Sequence, residues 1–187
     1  AIESAQADFI VAQGIEAGGH RGQFDLQAND ERLSALELTA RLAKHCRIPI
    51  IAAGGIMNGA HIQNALANGA QAAQLGTAFL CCDESGTPPS YRHYLLHKQD
   101  RPTTLTRAFS GRLARGLENT FTRTMQDETT LPFPIQNTLT GPLRQWAVAQ
   151  NDAEYQSLWA GTAYAQVRSM TTKDLMQQLR NEIKVQQ

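Results

Sequence analysis

Residues Ile48 to Leu80 read IPIIAAGGIMNGAHIQNALANGAQAAQLGTAFL. The stretch opens on a short, almost wholly apolar run, Ile48 to Ala53 (IPIIAA), and closes on another, Ala72 to Leu80 (AAQLGTAFL). Near-continuous apolarity over the length of a strand marks a strand covered on both faces, as in a parallel sheet. Between the runs, Asn58 can cap a helix carrying Ile62, Leu66 and Ala67, and Gly69 of the Asn68-Gly69 pair can end it. Upstream, Asp8 to Gln13 (DFIVAQ) is a third run of the same kind. Leu33, Leu36, Leu38, Leu42 and Ala43 then recur at roughly helical spacing over Asp30 to Cys46, with Asp30 as the expected start. Strand, helix, strand, helix, strand is an α/β pattern with a parallel sheet.

From Asp83 onward the pattern changes to helices and loops. A short helix is expected over Ser90 to Gln99, a strand over Thr103 to Phe109 and a helix over Arg112 to Met125. Two prolines in Leu131-Pro132-Phe133-Pro134 predict an extended connection. Further helices are expected near Pro142 to Gln150, Glu154 to Arg168 and Thr172 to Val185. The division is therefore residues 1–89 as the α/β part and residues 90–187 as a smaller, mainly helical cover, whose last helix can pack back on the first part.

Composition removes several function classes. The 187 residues carry 17 Lys+Arg against 17 Asp+Glu, so the zero formal charge offers no footprint for nucleic acid or anionic lipid. The longest apolar runs fall far short of the roughly 18 residues a membrane helix needs. Of three cysteines, two are adjacent at Cys81 and Cys82, with neither a disulfide framework nor CxxC spacing for zinc. A reducing compartment, the cytoplasm, is expected. Residues 1–8 (AIESAQAD) carry no targeting signal and read like the end of a helix entering a strand.

Two features point to chemistry. The first is the pair of glycine-containing strand ends, Ala52-Ala53-Gly54-Gly55-Ile56 and Gln74-Leu75-Gly76-Thr77-Ala78, separated by one crossover. Glycine lets backbone approach a ligand, and exposed amides bind phosphate without cationic side chains. In (β/α)8 barrels the common phosphate site is built by two successive loops of this kind. The second is the loop Gln13 to Gly22, in which Gly18, Gly19 and Gly22 present His20 at the same end of the sheet. Imidazole titrates near neutral pH and can take a proton from a carbon made acidic by a nitro or carbonyl group. Arg21 holds an anion or is a solvated surface charge. Ser110-Gly111-Arg112, with Arg115 one helical turn beyond Arg112, binds an anion or pairs with acids, the second being favoured. His93 and His97 would share a helix face but lack a carboxylate at metal-site spacing. Cys81-Cys82 read as small buried hydrophobes, and Trp146 and Trp159 as cover packing.

Residues Ile10 to Gly22 (IVAQGIEAGGHRG) closely resemble the signature of the nitronate monooxygenases, formerly called 2-nitropropane dioxygenases. Further matches are Pro49 to Ile56 (PIIAAGGI), Gln74 to Phe79 (QLGTAF), Phe109 to Gly116 (FSGRLARG), Leu139 to Arg144 (LTGPLR) and Leu158 to Gly161 (LWAG), in family order. The resemblance implies the C-terminal part of an FMN-dependent enzyme: the last three strands of a TIM barrel and a smaller helical subdomain. The implied reaction is oxidation of alkyl nitronates, such as propionate 3-nitronate, with O2 to a carbonyl product and nitrite or nitrate. Carried across, Gly18 and Gly19 lie against the flavin, and His20 is the catalytic histidine. Gly54, Gly55, Gly76 and Thr77 hold the FMN phosphate, and Gln74 ends the same strand. No metal is implied. The family usually continues LWAG with Gln, whereas Thr162 stands here. Three strands cannot close a barrel, so the resemblance also implies either that the chain is one piece of a longer or cleaved protein or that it assembles with a complementary N-terminal part as partner. The competing readings are a flavin-dependent enoyl reductase using reduced nicotinamide, and a fragment that is not catalytic alone.

Overall fold

A computed structural model describes residues 3–23, 25, 29–97 and 100–184. Strands β1 (Ile10–Gln13), β3 (Ile50–Ala53) and β4 (Ala72–Gln74) form a parallel sheet in the order β1-β3-β4, with Ile10 opposite Ile50 and Ala53 opposite Gln74. Helices α1 (Ala35–Ala43) and α2 (Gly59–Ala67) make the crossovers. The expected strand over Ala72 to Leu80 is cut short. β3 ends at Ala53, before Gly54 and Gly55 turn the chain at φ 125° and 68°, so β4 has nothing to pair with beyond Gln74. The chain coils instead into a 3-10 turn at Thr77–Phe79.

Helix α2 starts where the sequence placed it, with the Asn58 side chain accepting from the His61 N–H at 2.9 Å. Helix α1 starts later than Asp30. Ser34 is the N-cap, its hydroxyl accepting from Glu37 N while the Glu37 carboxylate accepts from Ser34 N. Asp30 is unavailable for capping because Arg21 and the Arg32 N–H occupy its carboxylate.

In the second half, α3 spans Pro89–His97, and the expected end at Gln99 lies outside the described residues. Strand β5 covers Thr103–Thr106 rather than running to Phe109. The expected helix over Arg112 to Met125 is replaced by strand β6 (Ala114–Leu117) and the short helix α4 (Thr120–Thr124). β6 is buried along its whole length and pairs antiparallel with β5 on one side and with β2 (Gly19–His20) on the other. This second sheet, which the sequence pattern did not disclose, ties the His20 loop to the cover.

The expected helix over Glu154 to Arg168 is also absent. Only single 3-10 turns form, at Ala153–Tyr155 and Tyr164–Gln166. Backbone groups that a helix would pair internally go elsewhere: Leu158 O accepts from Leu117 N, and the Asn119 amide takes the carbonyls of Ala153 and Gln156. Phe133-Pro134 is a cis peptide and sits in a turn, with Ile135 N donating to Pro132 O, so this segment is not extended. Helices α5 (Ile135–Leu139), α6 (Gly141–Ala149) and α7 (Thr172–Lys184) follow, and Val185 lies outside the described residues.

One apolar cluster joins the two halves, with Met57, Ala78 and Cys81 against Leu95, Leu158, Leu175 and Leu179. Cys81 and Cys82 are buried free thiols in it, and burial pushes the Cys81 thiol up. α7 packs on α2, where the Glu182 carboxylate accepts from Gly59 N at 2.7 Å and pairs with Arg168 at 2.6 Å. Among the described residues no helix is long and apolar enough to cross a membrane.

Asn119 is 0% exposed and makes three hydrogen bonds through its amide, one of them the cap of α4. At about 1 kcal/mol for each bond, Asn119→Ala should lower stability by about 3 kcal/mol in denaturant unfolding. A loss below about 1 kcal/mol would show that the segment after Ala153 is held by other means.

Candidate functional site

The C-terminal ends of the three parallel strands open on a cavity of about 310 Å³, at the lower end of the roughly 300–1,000 Å³ that small-molecule sites occupy. Its wall contains Gly54 and Gly55 after β3, Gln74 at the end of β4 with Gly76 and Thr77 after it, and Gly18 and Gly19 from the loop after β1. Thus seven residues singled out in three separate sequence segments line one space. Gly54 and Gly55 lie at positive φ, which suits glycine. Gly76 has an ordinary φ, and a Cβ there would meet nothing within 4 Å. Packing within the chain therefore does not require glycine at 76.

Gly18 is a different case. A Cβ on it would stand 2.7 Å from Ala160 C and Gly161 N, so the two backbones touch only because the side chain is missing. The Gly161 N–H donates to Thr77 Oγ1 at 3.0 Å, which links this contact to the strand end after β4. Thr162 is exposed, and its N–H donates to Glu16 O at 3.0 Å.

Arg21 neither faces solvent nor is open to an anion. It is 7% exposed, grips Asp30 through two nitrogens at 2.8 and 3.1 Å, and donates to Gly14 O at 2.7 Å. Bidentate pairing of this kind is strong and orients both partners. Arg112 pairs with backbone rather than acids, donating to Arg21 O and Gln23 O at 3.1 and 2.6 Å. Arg115 donates to Ile15 O at 2.8 Å and to Thr103 Oγ1 at 2.9 Å. Glu16, which sequence reasoning passed over, accepts from the Ala35 N–H at the start of α1. Its signal was faint: one acidic residue inside a glycine-rich loop, ahead of a helix start that was misplaced.

His20 stands just outside the cavity wall, next to Gly19. Its ring lies 5.7 Å from that of Trp159, which does line the cavity, and 6.3 Å from that of Phe133. Its Nε2 is 2.8 Å from Ser110 Oγ. Partial burial, with the Arg112 charge adding to it, holds the imidazole below its ordinary pKa, so the neutral form prevails at pH 7. Trp159 is therefore a wall residue as well as cover packing. Ser110 emerges as the partner of the histidine, a role its position 90 residues downstream hid. The His93 and His97 rings lie 4.7 Å apart on exposed residues, and among the described residues no group of three His, Cys, Asp or Glu could hold a metal.

Residues 1–182 match the family model described as nitronate monooxygenase. A nitronate monooxygenase of Paraburkholderia phytofirmans is 50% identical over 186 residues, which is 98% of this chain and 51% of the relative. Another from Pseudomonas aeruginosa is 40% identical over 98% of this chain and 53% of its own length. Among solved structures, a nitroalkane oxidase from Streptomyces ansochromogenes superposes with TM-score 0.92 at 40% identity, covering 98% of this chain and 54% of that one. FabK from Thermotoga maritima does so with TM-score 0.79 at 30% identity, covering 99% and 57%. The chain thus spans about half the length of these relatives.

The two kinds of glycine make opposite predictions. Gly18→Ala forces one backbone segment off another and should cost about 2 kcal/mol in unfolding experiments. Gly76→Ala should stay within about 0.5 kcal/mol of the parent. Equal effects at both positions would contradict the packing described.

Proposed function

Because this chain belongs to the nitronate monooxygenase family, we propose that it forms the phosphate-holding and histidine-bearing half of an FMN-dependent monooxygenase of alkyl nitronates. The carrying observation is the convergence of Gly18, Gly19, Gly54, Gly55, Gln74, Gly76 and Thr77 on one cavity beside His20. Backbone amides around Gly54-Gly55 and Gly76-Thr77 would hold the phosphate, which suits a chain whose formal charge is zero. Gly18, Gly19 and Trp159 would form the wall toward the flavin ring. FMN, when bound, supplies the electron-accepting ring and the route to O2.

His20 takes the proton from the carbon bearing the nitro group of a neutral nitroalkane. The C–H electron pair moves into the C=N bond of the nitronate, and the imidazole becomes imidazolium. A preformed nitronate, such as propionate 3-nitronate, skips this step and is oxidised with O2 to a carbonyl compound with nitrite or nitrate. Partial burial and the Arg112 charge keep the base neutral before the substrate arrives.

The fold reading that goes with this function is the last three strands of a TIM barrel. β1 and β4 are both edges of the parallel sheet, and Phe9 and Val11 beside the β1 edge are 52% and 41% exposed. A complementary N-terminal part would pair with those edges and cover those side chains. The free Cys46, Cys81 and Cys82 suit a reducing, cytoplasmic setting.

The purified full-length protein, this half together with its N-terminal part, should carry flavin absorbance and consume oxygen when given a nitronate. A colourless protein without uptake would overturn the proposal. Rapid flavin bleaching by NADH or NADPH under anaerobic conditions would instead favour the enoyl reductase reading. His20→Asn should impair turnover of neutral nitroalkane by about 10²-fold or more, well beyond its effect on the preformed nitronate. In the parent enzyme, the acid limb for neutral nitroalkane should lie below the usual imidazole pKa, with activity lost as pH falls through it. Equal losses with both substrates would remove His20 from the role of base.

A further inference from the structure

Ser110 is 1% exposed, and its hydroxyl has three polar neighbours. They are the Arg112 carbonyl oxygen at 3.1 Å, the Arg112 N–H at 3.3 Å, and His20 Nε2 at 2.8 Å. A hydroxyl has one hydrogen to give and two lone pairs to fill. The Arg112 carbonyl can only accept, so the Ser110 hydrogen goes to it. The Arg112 N–H can only donate, so it fills one lone pair. What remains for His20 is the second lone pair, and Nε2 meets it only as a donor. In a neutral imidazole the other nitrogen, Nδ1, is then bare.

We propose that Ser110 is a positioning residue that locks His20 in its Nε2–H tautomer, leaving Nδ1 as the nitrogen that takes the substrate's proton. The inference rests on the reading of His20 as base for what Nδ1 does, but the tautomer itself stands on Ser110 and Arg112 alone. Were the hydroxyl turned toward Nε2, the Arg112 carbonyl would lose the Ser110 donor and one lone pair of the hydroxyl oxygen would go unfilled. The reverse turn from Gly111, at φ 77°, brings the Arg112 backbone back onto the Ser110 side chain. The Trp159 and Phe133 rings lie 5.7 and 6.3 Å from the imidazole and crowd it.

Long-range 1H–15N spectra of protein labelled at histidine nitrogen, recorded above the imidazole titration, test this directly. His20 signals are identified by their loss in His20→Gln. The expected spectrum has Nε2 as a protonated nitrogen and Nδ1 as a bare one. The reverse assignment, or an even mixture, would overturn the proposal. In Ser110→Ala the His20 signals should move toward a mixture. The ratio of kcat/KM for neutral nitroalkane to that for preformed nitronate should also fall by about tenfold. An unchanged tautomer and an unchanged ratio in that variant would overturn the positioning role. The spectra need neither flavin nor substrate, so they decide the tautomer even if the nitronate reading fails. A nitronate-oxidising protein with the Nδ1–H form would keep that reading and lose this one.

Discussion

A Cβ on Gly18 would stand 2.7 Å from the backbone at Ala160-Gly161, and one on Gly161 would stand 2.6 Å from Glu16 O. This interlock of two backbone segments, possible only with glycine on both sides, is what the mouth of the sheet is built around. The loop from Gln13 to Gly22 is then bound along its length by distant parts of the chain. Arg21 takes Gly14 O, Arg115 takes Ile15 O, Thr162 N reaches Glu16 O, and Leu113 O accepts from Arg21 N. A loop with buried carbonyls needs such partners. Two of the donors are arginines held in buried pairings, so the fold supplies partners for the carbonyls of the loop that carries His20.

The same arrangement decides where positive charge goes. Arg21, Arg112 and Arg115 all surround the loop, yet each is turned onto carbonyl oxygens, a hydroxyl or Asp30. At the ends of β3 and β4 the cavity wall is left to uncharged residues, Gly54, Gly55, Gln74, Gly76 and Thr77 among them. On the proposed reading, an anion there would meet backbone amides rather than cationic side chains. The arginine cluster acts on the site indirectly, as Arg112 does by disfavouring the imidazolium of His20.

Much of this was legible in the sequence. β1, β3 and the Asn58 cap of α2 follow from apolar run length and capping chemistry, which depend on a few neighbouring residues. The cavity glycines were legible as a set because each follows a strand. What failed was the cover. Leu113 and Leu117 are four apart, and Arg112 and Arg115 three apart, which is helical spacing; yet β6 is a strand between two others, with Gly116 against Leu158 O. A short run buried on all sides carries no period that separates strand from helix. The segment after Ala153 failed for a related reason, since its carbonyls bind Asn119 and Leu117, 34 or more residues away. Arg21 was misjudged because its partner Asp30 was assigned to a helix cap.

The central claim is that backbone amides at the two glycine turns hold a phosphate. It is tested most directly by following the amide 1H–15N signals of Gly54, Gly55, Gly76 and Thr77 while the protein is titrated with FMN and, separately, with riboflavin, which lacks the phosphate. Displacement of these four signals by FMN, with little or none by riboflavin, is the predicted result. Equal displacement by both, or none by either, would contradict the account.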